Sequence, residues 1–313
     1  MKIKATAFAP ATVANVAAGF DVLGFAVAGI GDRVTIVRDE AVRGIVVDRI
    51  EGVVTELPTD PDRNTASVAA ASLFAAEDER GGFRLSIEKG IALGSGMGGS
   101  AASAVAAVVA ANALLPQPLA VEALLPHAAQ GEAAASGAPH ADNAAPCLLG
   151  GLTAIVAHEP LRAISIPTPA GLRYVLVRPD LRLDTREARA ALPAELPLGI
   201  QVEQAQYLAG FLAGCFRGDT ALIRAGMRDL IATPARSRLI PGCDEAFEAA
   251  RSAGALGAGI AGAGPSLFAW VEGDGALAAI EQGMRAAFEA RGLATEAWSG
   301  PIALGGAAVE AVG

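Results

Sequence analysis

The run Leu93-Gly94-Ser95-Gly96-Met97-Gly98-Gly99-Ser100 passes straight into an Ala/Val segment that lasts to Leu115, and few folds accept that combination. Glycine reaches positive φ at little cost and leaves its backbone N–H groups uncovered. Nothing from Ala101 to Leu115 is charged and only Asn112 is strongly polar, so the segment reads as a buried helix. Phe83–Glu88 alternates as a strand that feeds the loop. A glycine turn at a helix N-terminus is an anion site, because unsatisfied N–H groups and the helix dipole both favour phosphate. The Ser100 hydroxyl at the helix start and Lys89 just upstream add to that reading. The bland alternative is a tight loop before a core helix. A Walker A loop would close with Gly-Lys-Ser/Thr, and no lysine sits here. The spacing Gly94-x-Gly96-x-x-Gly99 lacks the strand–turn–helix–strand context and the following acid of a dinucleotide fingerprint.

At 313 residues the chain exceeds what one compact core usually takes, which predicts two domains. The proline-rich piece Pro160, Pro167, Pro169 marks the crossing, giving units 1–165 and 166–313. Hydrophobic residues make up 52% and mean hydropathy is +0.42, enough for a large core. The Ala101–Leu115 run is too short and too small-sided for a membrane span, and no cleavable leader opens the chain. Cys147, Cys215 and Cys243 have no metal spacing and are odd in number, which fits a reduced cytoplasm. A net charge of −9 argues against nonspecific nucleic-acid binding. A polyphosphate ligand would need locally concentrated positive potential, and Lys89 is the only lysine after Lys4.

In chain order, residues 3–8 predict a first strand, followed by turns at Pro10 and near Gly19. Asn15 and Asp21 are polar in an apolar neighbourhood. They serve either as turn residues or as partners of a polar ligand, since a buried Asp needs one. Strands are expected at 33–37 and 44–48. Asn64 reads as the cap of a helix through Ala76. A second helix runs from about Leu119 to Ala135, carrying Glu132 on an alanine-rich face where an unpaired carboxylate would be costly. His140, Asp142 and Asn143 cluster in a turn between Pro139 and Pro146. Beyond the crossing, 172–178 is a strand. Thr185 reads as a helix cap with Arg189 four residues on, and helices follow at 201–217 and 219–231. Arg189 and Arg236 are either surface arginines or bidentate carboxylate clamps. A second glycine cluster, Gly257 to Ser266, precedes strand 267–271, a helix over 275–291 and a final strand.

The glycine loop resembles that of the GHMP kinases, roughly Pro-x-Gly-x-Gly-Leu-Gly-Ser-Ser-Ala. Ala92 replaces the proline and Gly99 the first serine, while Ser100 keeps the second. Pro10-Ala11-Thr12-Val13-Ala14-Asn15 and Gly19-Phe20-Asp21-Val22-Leu23-Gly24 are similar, almost letter for letter, to the N-terminal motif of the homoserine kinase branch. So is Glu132 to Gly151. The second glycine cluster resembles the third GHMP motif, with Ala261 and Ala263 in place of serines, so backbone N–H groups rather than hydroxyls should support the loop. Thr233 departs from the branch's Glu-Pro-x-Arg, while Arg236 is retained.

The resemblance implies a two-domain α+β fold. Its N-terminal domain is ribosomal protein S5 domain 2-like and carries the loop; its C-terminal domain is ferredoxin-like, and the site lies between them. It implies ATP as co-substrate with Mg²⁺, and L-homoserine as acceptor. ATP would meet Asn64, Lys89 and the loop residues Leu93, Gly94, Ser95, Gly96, Met97, Gly98, Gly99, Ser100 and Ala101. Ser100 and Glu132 would hold the metal. Asn15, Asp21, His140, Asp142, Thr185, Arg189 and Arg236 would line the amino-acid pocket, and Asn143 would orient the reacting hydroxyl. A cytoplasmic enzyme follows, a homodimer as members of the family commonly are, with neither nucleic acid nor membrane as partner. Two other readings are another GHMP kinase of mevalonate type, which would leave Asp21 idle, and a nucleotide-binding regulator without catalysis.

Overall fold

The structure, a computed structural model, describes residues 2–137, 140–303 and 305–313. Ala138 and Pro139 of the turn before His140 lie outside the described residues. The chain opens with β1 (Lys4–Ala14), β2 (Leu23–Arg38), β3 (Gly44–Gly52), α1 (Thr65–Ala76) and β4 (Gly82–Lys89). In β1 the side chains of Ala5, Ala7, Ala9 and Ala11 are fully buried, as period-two alternation over a core requires. The expected turn at Pro10 is absent. The strand continues to Ala14, and its register against β2 shifts between Pro10 and Ala11. A proline has no N–H to give a ladder, and a bulge is where a sheet tolerates that loss.

Next come α2 (Gly99–Leu114), α3 (Leu125–Ser136), α4 (Ala144–Leu149), β5 (Leu152–His158) and β6 (Leu161–Ile166). The helix expected from Leu119 starts instead as a short 3-10 turn at Val121–Leu124, and α3 proper carries a proline in its first turn. Asn64 caps α1 as expected, its side chain accepting from the N–H groups of Ala66 and Ser67. Buried alanines let α1, α2 and α3 approach closely. At Gly131 of α3 a Cβ would come within 2.5 Å of the Thr65 carbonyl oxygen and 2.9 Å of the Ala69 and Ala104 Cβ atoms. This contact brings the next residue, Glu132, up to the start of α2.

The second half holds β7 (Leu172–Pro179), α5 (Thr185–Ala190), α6 (Leu198–Arg217), α7 (Thr220–Gly226), α8 (Ala232–Arg236), α9 (Cys243–Ser252), β8 (Gly257–Ile260), β9 (Leu267–Glu272), α10 (Leu277–Glu289) and β10 (Thr295–Pro301), before β11 (Ala308–Val312). The expected helix over 219–231 stops at Gly226. The Asp229 carboxylate accepts from the N–H groups of Ile231, Ala232 and Thr233, and such side-chain bonds compete with continued helix. The cap of α5 is Asp184, one residue ahead of Thr185, and it accepts from Arg186 N.

The first sheet runs β11-β1-β2-β4-β3, with β5 on β2 and β6 on β5; β3 and β4 are parallel. The last strand of the chain therefore pairs with the first, antiparallel to β1. The second sheet, β10-β7-β9-β8, is antiparallel. With α9 and α10 crossing between its strand pairs, it has the split βαβ connectivity of a ferredoxin-like unit. Its strands alternate cleanly. Val175, Val177, Ala269 and Val271 pack on α9 and α10, whereas Tyr174, Leu176, Phe268 and Trp270 join the core of the first unit. Among the described residues no helix is long and apolar enough to cross a membrane.

Candidate active site

A cleft of about 770 Å³ opens where the glycine loop meets α5, α8 and the second glycine cluster. All the expected site residues line it except Met97 and Ala101, which are buried beneath the loop. Gly94, Gly96 and Gly98 have φ of +65°, +78° and +67°. At Gly98 a Cβ would strike Thr12 Oγ1 and Asn143 Oδ1, so only glycine fits both the angle and the space. Gly99 has no such φ and begins α2. The helix thus presents its N-terminal N–H groups and dipole to the cleft.

The loop is held from behind by the second unit. Ser266 Oγ donates to the Ser95 carbonyl at 2.7 Å and Leu183 N donates to the Gly94 carbonyl, while Gly262 N donates to the Ala14 carbonyl at the end of β1. A hydroxyl therefore contributes to this support, where only backbone was expected, and it comes from Ser266 rather than from the positions of Ala261 and Ala263.

At the start of α2, Ser100 Oγ donates to Glu132 Oε2 at 3.2 Å. Burial pushes the Glu132 carboxyl up to about 7, against the pull of the Ser100 hydrogen bond. A buried oxygen anion beside a hydroxyl, facing a phosphate-shaped loop, suits a hard cation. No group of three or more His, Cys, Asp or Glu side chains among the described residues could hold one alone. This donor set fits Mg²⁺, which takes few protein ligands and draws the rest from phosphate and water.

Lys89 lies at the edge of the cleft but its amine is fully engaged. It donates to the Asp32 carboxylate, to the Gly99 carbonyl at 2.7 Å and to Ser103 Oγ at 2.9 Å. Asp32 is completely buried and also accepts from Gly90 N and Ile91 N. This network fastens the strand end to the first turn of α2.

On the other wall, Asn15 and Asp21 both adopt left-handed φ, +62° and +55°, a region that Asn and Asp tolerate better than most residues. Asn15 Oδ1 accepts from Asp21 N at 2.9 Å while its Nδ2 donates to the Gly262 carbonyl at 2.8 Å. Both Asp21 oxygens accept from Arg189 Nη2 at 3.1 Å. Arg236 is buried and donates to the carbonyls of Ala188 and Gly262. Burial, then the nearby Arg189 charge, lowers its pKa. The Phe20 ring lies under both guanidinium groups, at 5.3 Å from Arg236 and 5.8 Å from Arg189.

Asp142 is buried, and burial followed by the Asp21 charge raises its carboxyl to about 7. His140 is half-buried and shifted down by burial, then by Arg189. Asn143 Oδ1 accepts from Thr12 Oγ1 at 2.8 Å, which turns its amide N–H₂ toward other acceptors. Thr12, Phe20 and Asp32 were not anticipated as site residues. Thr12 and Phe20 stand inside the quoted N-terminal motif, which was a usable sign; Asp32 stands in no motif.

Two family models match, GHMP kinases N terminal domain over residues 64–151 and GHMP kinases C terminal over residues 211–290. A homoserine kinase of Xanthomonas campestris pv. campestris strain B100 is 48% identical over 96% of this chain and 92% of its own length. One from Xylella fastidiosa strain 9a5c is 46% identical, covering 97% and 93%. The crystal structure of a homoserine kinase from Cytophaga hutchinsonii superposes with a TM-score of 0.95 at 40% identity, covering 99% of this chain and 98% of the other. The chain belongs to the GHMP kinases, within the homoserine kinase family.

Proposed function

We propose that this cleft transfers the γ-phosphoryl group of ATP to the side-chain hydroxyl of L-homoserine. The observation that carries this reading is the pairing of two unlike walls: a glycine loop at a helix N-terminus faces a cluster of Asp21, Arg189 and buried Arg236. The first wall suits a polyphosphate. The second offers a carboxylate for an ammonium group and two guanidinium groups for a carboxylate, which is the charge pattern of an amino acid. Neither a sugar nor mevalonate has an amine for Asp21.

Phosphoryl transfer is catalysed mainly by positioning and charge neutralisation. In this reading the N–H groups from Gly94 to Ser100 cradle the triphosphate, and Asn64 lies toward the base. Ser100 and Glu132 would hold Mg²⁺, which would supply charge neutralisation when bound. Arg189 exchanges Asp21 for the substrate carboxylate, freeing Asp21 for the ammonium. Asn15 shapes that corner, and His140, Asp142 and Thr185 close it. Asn143, its oxygen held by Thr12, donates from its amide to the acceptor hydroxyl and orients it. Asn143 is too weak a base to take the proton itself. Lys89 serves the nucleotide indirectly, by bracing the first turn of α2. The reading keeps a division of the chain near residue 166, with the correction that β11 returns to the first sheet, and the acceptor pocket is built by both halves. It also places the enzyme in the cytoplasm, consistent with three buried free cysteines.

The test is ADP release coupled to a reporter, with ATP and Mg²⁺, in the presence and absence of L-homoserine. Homoserine-dependent release is expected. Turnover with mevalonate in its place, or none with either, would displace the assignment.

A further inference from the structure

A triphosphate brings more negative charge than backbone N–H groups neutralise, and this glycine loop contains no lysine. Lys89 cannot serve. Its three protons already have three acceptors, one of them the Asp32 carboxylate. Drawing it onto a phosphate would leave a fully buried aspartate uncompensated, which is strongly unfavourable. Arg189 is paired with Asp21, and Arg236, which donates to two carbonyls, belongs with it to the acceptor wall rather than to the phosphate loop. Three cations on the cleft remain: Arg63, Arg182 and Arg186. All three are exposed, and none has an ion-pair partner among the described residues.

Of these, Arg182 is the one built against the loop. A Cβ placed on Gly94 would meet Arg182 Cγ at 2.8 Å and Cδ at 3.6 Å, so the arginine stem lies across that glycine. The neighbouring Leu183 N donates to the Gly94 carbonyl at 3.3 Å. The backbone of the second unit is thus docked on the loop at this point, and the stem is laid down along it. Among the described residues the guanidinium group has neither a hydrogen-bond acceptor nor an ion-pair partner, and the side chain lines the cleft beside the glycine loop.

The geometry points to Arg182 as the cation that binds the nucleotide's phosphates, reaching across Gly94 from the second unit. This rests on the reading of the cleft as an ATP site and deepens it. The glycine loop and α2 supply N–H groups from one side, and Arg182 supplies full charge and up to five donors from the other. It also accounts for the glycine at position 94: apart from its positive φ, a side chain there would displace the Arg182 stem.

Calorimetric titration of Arg182→Gln and Arg182→Lys with ADP and with adenosine tests the assignment. Loss of one charge-assisted contact predicts ADP binding weakened about tenfold in Arg182→Gln. Adenosine affinity and the KM for homoserine should stay within twofold. The salt dependence of ADP binding should become shallower, because one phosphate contact fewer is screened. Arg182→Lys should recover part of the ADP affinity. Arg182 is exposed, so both variants should melt like the parent. Unchanged ADP affinity and salt dependence in Arg182→Gln would overturn the proposal. So would an equal loss for adenosine, which would mean a merely structural role. ADP binding requires no acceptor, so a wrong acceptor would show separately, as parent enzyme that binds ADP yet gives no homoserine-dependent turnover.

Discussion

Glu132 and Asp142 are two carboxyls that burial holds near 7, far above their ordinary range. Because their folded values are raised, protonation favours the fold. That contribution is full below about pH 4 and is lost as pH rises through about 7. The ligand-free protein should therefore lose Tm steadily between about pH 4 and pH 7 and level off above that, and Asp142→Asn should flatten the slope. Glu132→Gln should flatten it too, and should also raise the Mg²⁺ requirement far more than the KM for homoserine, since it removes a hard anionic ligand. A Tm independent of pH, or a Mg²⁺ dependence like the parent's, would contradict the assignment. Asn15, Asp21 and Asn143 were legible in the sequence because each sits in a short run whose polarity clashes with its surroundings. Their partners were not. Asp32 meets Lys89 from 57 residues away and Thr12 meets Asn143 from 131. An Asp between two strands' worth of apolar residues looks like any turn acid until the sheet brings β2 beside β4.

The elements that carry the site divide sharply by how local their causes are. The α2 helix was readable end to end, since composition alone buries it. The α5 and α7 boundaries shifted, because Asp184 and Asp229 offer side-chain oxygens that end or start a turn and compete with the helix pattern. The glycine loop shows the same division at single positions. Sequence singles out Gly99 as the departure from the family's serine, yet its backbone is ordinary. A Cβ there is tight only against Ile91 Cγ2, at 3.2 Å, with Ile91 Cβ at 3.5 Å and Lys89 Nζ at 3.6 Å in ordinary contact. Gly98 carries both the left-handed φ and the closed space. Gly99→Ser should accordingly keep kcat and the ATP KM within a few-fold of the parent. Ser100→Ala should lose activity through the metal. Gly98→Ala should lose both activity and stability, its backbone strain alone costing about 1–3 kcal/mol. Steady-state kinetics and melting of the three variants decide the ranking. A Gly99→Ser enzyme more damaged than Ser100→Ala would mean that α2 does not begin as described.

At the scale of the whole molecule, the two sheets share one apolar core, and Phe25 makes the aromatic contacts across it. Phe25 on β2 is fully buried, with ring centroids 5.6 Å from Tyr174, 5.7 Å from Phe268 and 5.6 Å from Trp270, all on the second sheet. Phe211 of α6 closes the cluster against Trp270. An apolar interface of this kind opposes hinge motion between domains, unlike the polar contacts that permit it. The loop contacts from Ser266 and Leu183 then sit on a rigid frame, which is what positioning catalysis needs. Phe25→Ala should cost about 3–5 kcal/mol, the range for an emptied aromatic core site. The loss should reach both halves at once. Both tryptophans, Trp270 and Trp298, belong to the second sheet, so their fluorescence reports that unit, while far-UV circular dichroism reports the whole chain. In the parent the two melting curves should coincide. In Phe25→Ala they should move down together, with the KM for homoserine rising because its pocket draws on both units. A fluorescence transition that stays in place while the circular dichroism curve splits would show that the second sheet folds without the first, and that the phosphate loop is not held by a single cooperative body.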